Sequence, residues 1–527
     1  MFVHCILLPL ALSSISGAFA LPTQTPPETL PTVDLGYGVY RASYYNETND
    51  AYVFSNIRFA APPTGDLRFS LPQPPPVDRS KVHDGSDGGP GCPAALPGTP
   101  VLPPGNDSPQ SEDCLFLDVI VPRKVLSGEL SKVPVAFWVF GGGYTMGSKN
   151  SMGDPSILLQ ASPSPVIWVA INYRLGHFGF LGGPTLVLAP GTVPNAGLHD
   201  QRFGLQWVQE NIHLFGGDKD EVTIIGASAG AGSTLHQVTA YGGEGEPAMF
   251  KRVLPMGPGF FPLGGHSQIQ EEYETFEAAA GCASKGVSCL RAATTEALMK
   301  ANKDIITALL PPRTGPGPSV DGNFVPDLPS YLLAQGRFHK NITVLVLDDS
   351  EEGTIFVDPT STRTAEEGID DIFPSITATT RSQLLAFYPP PDNTTGYTTE
   401  IARFARMIAD VAFDHNRYAI SAALPDRTYN VVTPGVHGTG ATVVFGLDVA
   451  AQEGYAASVV GEMRRFVMRF VVSGDPNEVG KGVAEGVTWP VYAGGMGLMV
   501  DGAGMEVVDM TGRDEVWKWW TKGLLLS

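Results

Sequence analysis

VTIIGASAG, residues 222–230, is the stretch on which the reading of this chain turns. Its first four residues form a short β-branched run that predicts a strand. Gly226-Ala227-Ser228-Ala229-Gly230 follows at once and fits the pattern G-x-S-x-G. AGSTLHQVTAY, residues 231–241, can then continue as a helix. Strand, tight turn and helix in that order place a serine on a strained corner. Small neighbours let the backbone bend there and leave the hydroxyl free to act as a nucleophile. The same five residues could make a plain small-residue turn, and it is the flanking elements that favour the nucleophile.

Similar apolar runs lie on either side. VPVAFWVF (133–140), PVIWVAINY (165–173), ITVLVL (342–347) and NVVT (430–433) read as buried strands. Between them DQRFGLQWVQENIHL (200–214) places Phe203, Leu205, Trp207, Val208, Ile212 and Leu214 at helical spacing. Strands alternating with helices predict an α/β fold with a large, mixed but mainly parallel central sheet flanked by helices. The run 133–140 ends in Gly141-Gly142-Gly143, which offers bare backbone N–H groups to a developing negative charge. Ala229 offers another from the residue after the nucleophile. The glycine triplet does not fit a dinucleotide fingerprint, because Met146 stands where the third glycine belongs. No G-x-x-x-x-G-K-[ST] phosphate loop occurs, and no cofactor or metal is expected.

A serine hydroxyl needs a base, and the base needs an orienting acid. In this kind of fold the chain order is serine, acid, histidine. His437 follows the strand-like TYNVVTPGV (428–436) in a loop, whereas His339 and His415 lie in helix-like surroundings and read as structural. The run 342–347 ends in Asp348-Asp349-Ser350-Glu351-Glu352-Gly353. Four carboxylates crowd one strand end, and the pattern alone does not choose among them.

The compartment is legible elsewhere. Residues 1–20, MFVHCILLPLALSSISGAFA, combine an apolar stretch with an Ala18-Phe19-Ala20 end, as a cleaved signal peptide does. Of five cysteines, Cys5 leaves with that segment. Cys92, Cys114, Cys282 and Cys289 remain and admit three pairings, of which proximity favours Cys92–Cys114 and Cys282–Cys289. Sequons at Asn46, Asn106, Asn341 and Asn393 agree with a secreted glycoprotein. No other run approaches the ~18 apolar residues of a membrane span, so no stable membrane anchor is expected. Lys+Arg 34 against Asp+Glu 54 gives a formal charge of −20, which repels a phosphate backbone and excludes nucleic acid as a partner. Nothing in the sequence fixes the oligomeric state.

Together these motifs resemble the type-B carboxylesterase family of secreted esterases, lipases and cholinesterases. The likeness runs from about residue 56 to 492 through NIRFAAPPTGDLRF (56–69), EDCLFLDV (112–119), NYRLGHFGFL (172–181), the block 195–230, VDGNFVPD (320–327), SGDPN (473–477) and WPVY (489–492). The resemblance implies an α/β-hydrolase fold and a serine ester hydrolase working through an acyl-enzyme on a small-molecule ester. It implies Ser228 as nucleophile, Glu352 of an Asp-x-x-Glu-Gly or Asn-x-x-Glu-Gly block as acid and His437 as base. It implies Gly142, Gly143 and Ala229 as oxyanion donors, agrees with both disulfides, and makes Arg68 and Glu112 a structural ion pair. About 150 residues per domain would give three domains. Residues at 142, 228, 352 and 437 must meet in one site, so 21–527 reads as a single domain.

Some positions depart from the family. Ala227 stands where glutamate is frequent before the serine, and Gly257-Pro258 replaces Ser-Gly. Gly440 and Thr442 follow His437 where acidic residues are common. No Trp lies between Cys92 and Cys114, so choline esters, which need an aromatic face, are not expected substrates. That loop is proline-rich and lacks the apolar stripe of an amphipathic lid. Soluble short- to medium-chain esters are therefore expected. A triacylglycerol lipase, or a catalytically silent cholinesterase-like adhesion protein, are the alternatives; the presence of Ser228, Glu352 and His437 speaks against the silent one.

Overall fold

The computed structural model describes residues 29–523, except 87, 99–108, 246, 262–264, 393, 447–453 and 478–486. The signal-peptide expectation and the sequons at Asn106 and Asn393 lie outside the described residues, as does the middle of the first cysteine loop.

Among the described residues eleven strands form one sheet. In spatial order they are Met505–Asp509, Met496–Val500, Thr428–Val436, Thr343–Glu351, Arg252–Met256, Gly217–Ala227, Val133–Val139, Ile167–Ile171, Phe116–Pro122, Ala51–Arg58 and Tyr44–Asn46. From Met496–Val500 to Ile167–Ile171 neighbours pair parallel, and the outer strands pair antiparallel. Parallel strands need helical crossovers, which cover both faces, so these strands read as continuous apolar runs. Every residue of Ile167–Ile171 and Arg252–Met256 is buried. A small second sheet joins Thr32–Asp34, Val39–Arg41 and Val82–His83.

The helix expected over 200–214 is Ala196–Asn211, followed by a 3₁₀ turn Ile212–Phe215. Leu205, Trp207, Val208 and Ile212 face the core, but Leu214 is exposed because the 3₁₀ turn shifts the phase of its side chain. The strand expected over 430–433 is longer, Thr428–Val436. His339 does not sit in a helix: the helix Pro329–Ala334 ends before it. His415 does open one, His415–Ala423.

Two insertions carry cores of their own. One packs Phe178, Leu186, Tyr273, Phe276, Leu290 and Leu298 together around the Cys282–Cys289 disulfide. The other gathers Ile369, Leu384, Tyr388, Met407 and Phe413 with Trp520 of the helix Asp514–Gly523. Arg68 ties the first insertion to the sheet. Its guanidinium meets Glu112 at 2.7 and 2.8 Å and also donates to the carbonyl oxygens of Leu290, Arg291 and Ala293. Glu112 lies two residues before Cys114, which pairs with Cys92 as expected. The buried charge is thus matched by a forked partner and by carbonyl groups.

Removing one side of such a buried pair strands the other. Arg68→Ala is expected to cost about 3–5 kcal/mol of stability, seen as a lower denaturation midpoint. An unchanged midpoint would show that the fork contributes nothing.

Candidate active site

Ser228 sits between the strand Gly217–Ala227 and the helix Ala229–Thr239, with φ 57° and ψ −125°. Such a backbone costs a non-glycine residue of order 1–3 kcal/mol and persists only where its surroundings enforce it. They do so through close main-chain contact. A Cβ on Gly226 would lie 2.3 Å from the Gly230 carbonyl oxygen, and one on Gly230 2.2 Å from that of Val139. The Ser228 N–H donates to the Met256 carbonyl at 2.8 Å. Its own carbonyl accepts from Gly232 at 2.9 Å and Gly259 at 3.1 Å. The elbow is therefore stitched to the end of the next strand.

The His437 ring reaches this corner from the loop after Thr428–Val436. Its Nε2 lies 2.7 Å from Ser228 Oγ, and its Nδ1 is hydrogen-bonded to Glu352 Oε2. Glu352 is fully buried, and its Oε1 accepts the Asp349 N–H at 2.8 Å. Gly353 has a plain reason to be glycine, since a Cβ there would fall 1.8 Å from the Ala405 carbonyl oxygen. The other members of the acidic run go elsewhere. Asp348 pairs with the buried Arg417 at 2.7 Å, Asp349 bonds the His437 loop, and Glu351 is exposed.

Gly141, Gly142 and Gly143 lie against the elbow. A Cβ on Gly141 would sit 2.4 Å from the Ala227 carbonyl oxygen and 2.8 Å from Ser228 Cβ. Gly142 and Gly143 have φ 118° and 60°, which glycine adopts freely. Among the described residues neither of their N–H groups finds an acceptor. Ala229 opens its helix, so its N–H has no carbonyl one turn back. Three N–H groups unpaired by the backbone therefore flank the serine.

The wall beside His437 is aromatic. The rings of Phe413 and Phe356 lie 4.4 and 5.4 Å from that of His437, centroid to centroid. Phe413 is delivered by a π-helical turn, Asp410–Asp414, between the helices Glu400–Ala409 and His415–Ala423. Such turns are frequent at functional sites. No local sequence pattern announces this turn or the placement of either ring.

The carboxylesterase family matches residues 30–501. The chain belongs to the carboxylesterase family. Carboxylesterase patB of Aspergillus clavatus is 33% identical over 500 residues, covering 86% of this chain and 89% of that protein. A secreted lipase of Arthroderma benhamiae is 31% identical, covering 90% and 87%. The crystal structure of Aspergillus niger EstA superposes with a TM-score of 0.81 at 27% identity, over 94% of this chain and 99% of that one. Fold and family together make the protein a carboxylic ester hydrolase of small-molecule esters.

Within that carboxylesterase frame several titratable groups are buried side by side. Burial pushes His437 down to about 4, against the pull of the Asp349 and Asp348 carboxylates. Burial, and then the Asp348 charge, push Glu352 well above the usual carboxylate range. Burial, with Arg417 opposing, raises Asp348 to about 6. The site thus favours a neutral imidazole, the form able to accept a proton. Where the family usually has Ser-Gly, Gly257 carries φ 58°, and a Cβ there would meet His437 Cε1 at 2.9 Å. The second oxygen of Glu352 is served by the Asp349 N–H.

Of the sequons within the described residues, Asn341 is exposed. Asn46 Nδ2 donates to Asp154 and Ser156, each at 3.0 Å. Among the described residues no cluster of His, Cys, Asp and Glu could hold a metal ion. No described helix is long and apolar enough to cross a membrane.

Proposed function

We propose that this carboxylesterase works through Ser228, His437 and Glu352, on soluble short- to medium-chain esters outside the cell. Ser228 Oγ attacks the ester carbonyl while His437 Nε2 takes its proton. Glu352 holds Nδ1–H and stabilises the imidazolium that forms. The N–H groups of Gly142, Gly143 and Ala229 receive the oxyanion. His437 then returns the proton to the leaving alcohol, and water cleaves the acyl-enzyme by the same route.

The observation that carries this reading is the unbroken hydrogen-bonded line from Ser228 Oγ through His437 to Glu352. A catalytically silent relative would have no use for a buried, neutral-leaning imidazole against a strained serine. The proline-rich stretch between Cys92 and Cys114 supports soluble esters over emulsified fat. The lipase reading draws on relatives named secreted lipase and Lipase 1. Export is supported by residues 1–20, by two disulfides of the kind kept in oxidising compartments, and by the secreted relative.

Ser228→Ala is expected to lower hydrolysis of p-nitrophenyl acetate and butyrate by at least about 10³-fold, with an unchanged circular dichroism spectrum. A fluorophosphonate probe should label the wild type and not the variant. Full activity in the variant would refute the assignment.

The pH profile gives an independent check. Only neutral His437 can act as base, and burial lowers its proton affinity, so the neutral form persists to lower pH. The acid limb of kcat/KM should therefore fall below the ordinary histidine value of about 6.5, towards 4. A limb at or above 6.5 would contradict it.

A panel of acyl chain lengths, assayed with and without an oil interface, separates esterase from lipase. Activity should peak on short to medium chains in solution; interfacial activation on long chains would overturn the preference.

A further inference from the structure

The loop that bears His437 leaves the sheet just where pairing fails. Asp349 pairs with Thr433, but the next partner of the strand is Glu351 opposite Val436, and the register shifts between them. Beyond that point the ladder no longer fixes the loop. The N–H groups of Gly438 and Gly440 would be left as orphans, a cost comparable to a lost hydrogen bond each. The residues that follow His437 are Gly438, Thr439, Gly440, Ala441 and Thr442, none of them acidic.

One carboxylate from the neighbouring strand fills the gap. Asp349 Oδ2 accepts the Gly438 N–H at 2.8 Å, and Oδ1 accepts the Gly440 N–H at 2.8 Å and the Thr433 hydroxyl at 2.5 Å. The Asp349 main chain meanwhile donates its N–H to Glu352 Oε1 at 2.8 Å. A single buried residue thus grips the loop of the ring and the carboxylate of its partner. Gly440 is part of the fit: a Cβ there would lie 2.2 Å from Leu347 Cδ2 and 3.1 Å from Asp349 Oδ1.

We infer that Asp349 is a positioning residue for ester hydrolysis, locking the His437 loop and Glu352 into one unit. The inference rests on the assignment of Ser228, His437 and Glu352 as the reacting groups. In this chain three donors converge on the Asp349 carboxyl, from Gly438, Gly440 and Thr433, and an amide would match them less well. Burial and then the Glu352 charge push Asp349 above the usual carboxylate range, and the Thr433 hydroxyl, His437 and the Gly440 N–H oppose them; ionised, it presents acceptors on both oxygens, whereas asparagine turns one of them into a donor. In either orientation that NH₂ would face a backbone N–H of Gly438 or Gly440. The loop must then move, and small displacements at reacting groups are costly in rate.

Asp349→Asn tests this in the full-length protein. The kcat for p-nitrophenyl butyrate, per site counted by fluorophosphonate titration, should fall about 10–100-fold. KM should stay within a factor of about three, and labelling of Ser228 should slow by a similar factor as kcat. Thr433→Val, which removes one donor and leaves both backbone bonds, should cost much less than Asp349→Asn. Arg68→Ala, far from the elbow, should lose stability while keeping kcat per titrated site. Wild-type kcat per site in Asp349→Asn, beside an inactive Ser228→Ala, would overturn this inference alone. Activity in Ser228→Ala would overturn the assignment on which it rests, and the inference with it.

Discussion

The constraint on which the rest depends is the approach of three backbones at Ser228. The main chain turns there at a positive φ, and the turn closes only because Gly226, Gly230 and Gly141 have no side chains to collide with their neighbours. That contact fixes the spacing of the strands Val133–Val139, Gly217–Ala227 and Arg252–Met256, whose ends supply the glycine loop, the serine and its backbone partner. A parallel sheet buried on both faces is the setting that can bear such a strained corner, because its core holds each strand end in place. The fold and the site are therefore one problem: the same glycines that let the sheet close also expose the hydroxyl.

The strand Thr343–Glu351 solves a second problem, the burial of several acids side by side. Unpaired, each would carry a large desolvation cost. The structure gives each its own compensation. Asp348 has the Arg417 guanidinium, Asp349 has two backbone N–H groups and a hydroxyl, and Glu352 has His437. Alternation along the strand and the irregularity at its end send these carboxylates in different directions.

This also explains what could be read in advance. The serine was legible because strand, turn and helix are local and the glycines leave a sequence signature. The buried parallel strands were legible because burial on both faces writes itself as unbroken apolar runs. The choice among Asp348, Asp349, Glu351 and Glu352 was not, since it depends on register against Thr428–Val436, a long-range fact. The resemblance to the family pointed to Glu352 where residue pattern could not. The outer strands Met496–Val500 and Met505–Asp509 leave little trace in the sequence because they are short and lie in a glycine-rich segment. His339 looked helical from its neighbours, but the helix stops at Ala334 and Gly336 turns the chain with φ 71°. Leu214 kept helical spacing in sequence and lost it in space when the last turn tightened.

The aromatic wall shows how far the site's support reaches. Phe413 lies on His437 because a π-turn aims it there, and that turn begins with a buried aspartate, Asp410. Against the cost of burial, Arg406 and Arg513 hold the Asp410 carboxyl below its ordinary range. Tyr388 donates to it at 2.7 Å and Trp517 Nε1 at 2.9 Å. Arg513 and Trp517 belong to the last stretch of chain, more than 280 residues after Ser228 in sequence (517 − 228 = 289). Packing the helix Asp514–Gly523 onto the turn that carries Phe413 therefore shapes the wall beside His437. A ring held in this way keeps water from the imidazole on one side and lowers its proton affinity by the same exclusion. The depressed affinity of His437 is in that sense a property of the whole fold, set by burial to which distant segments of the chain contribute.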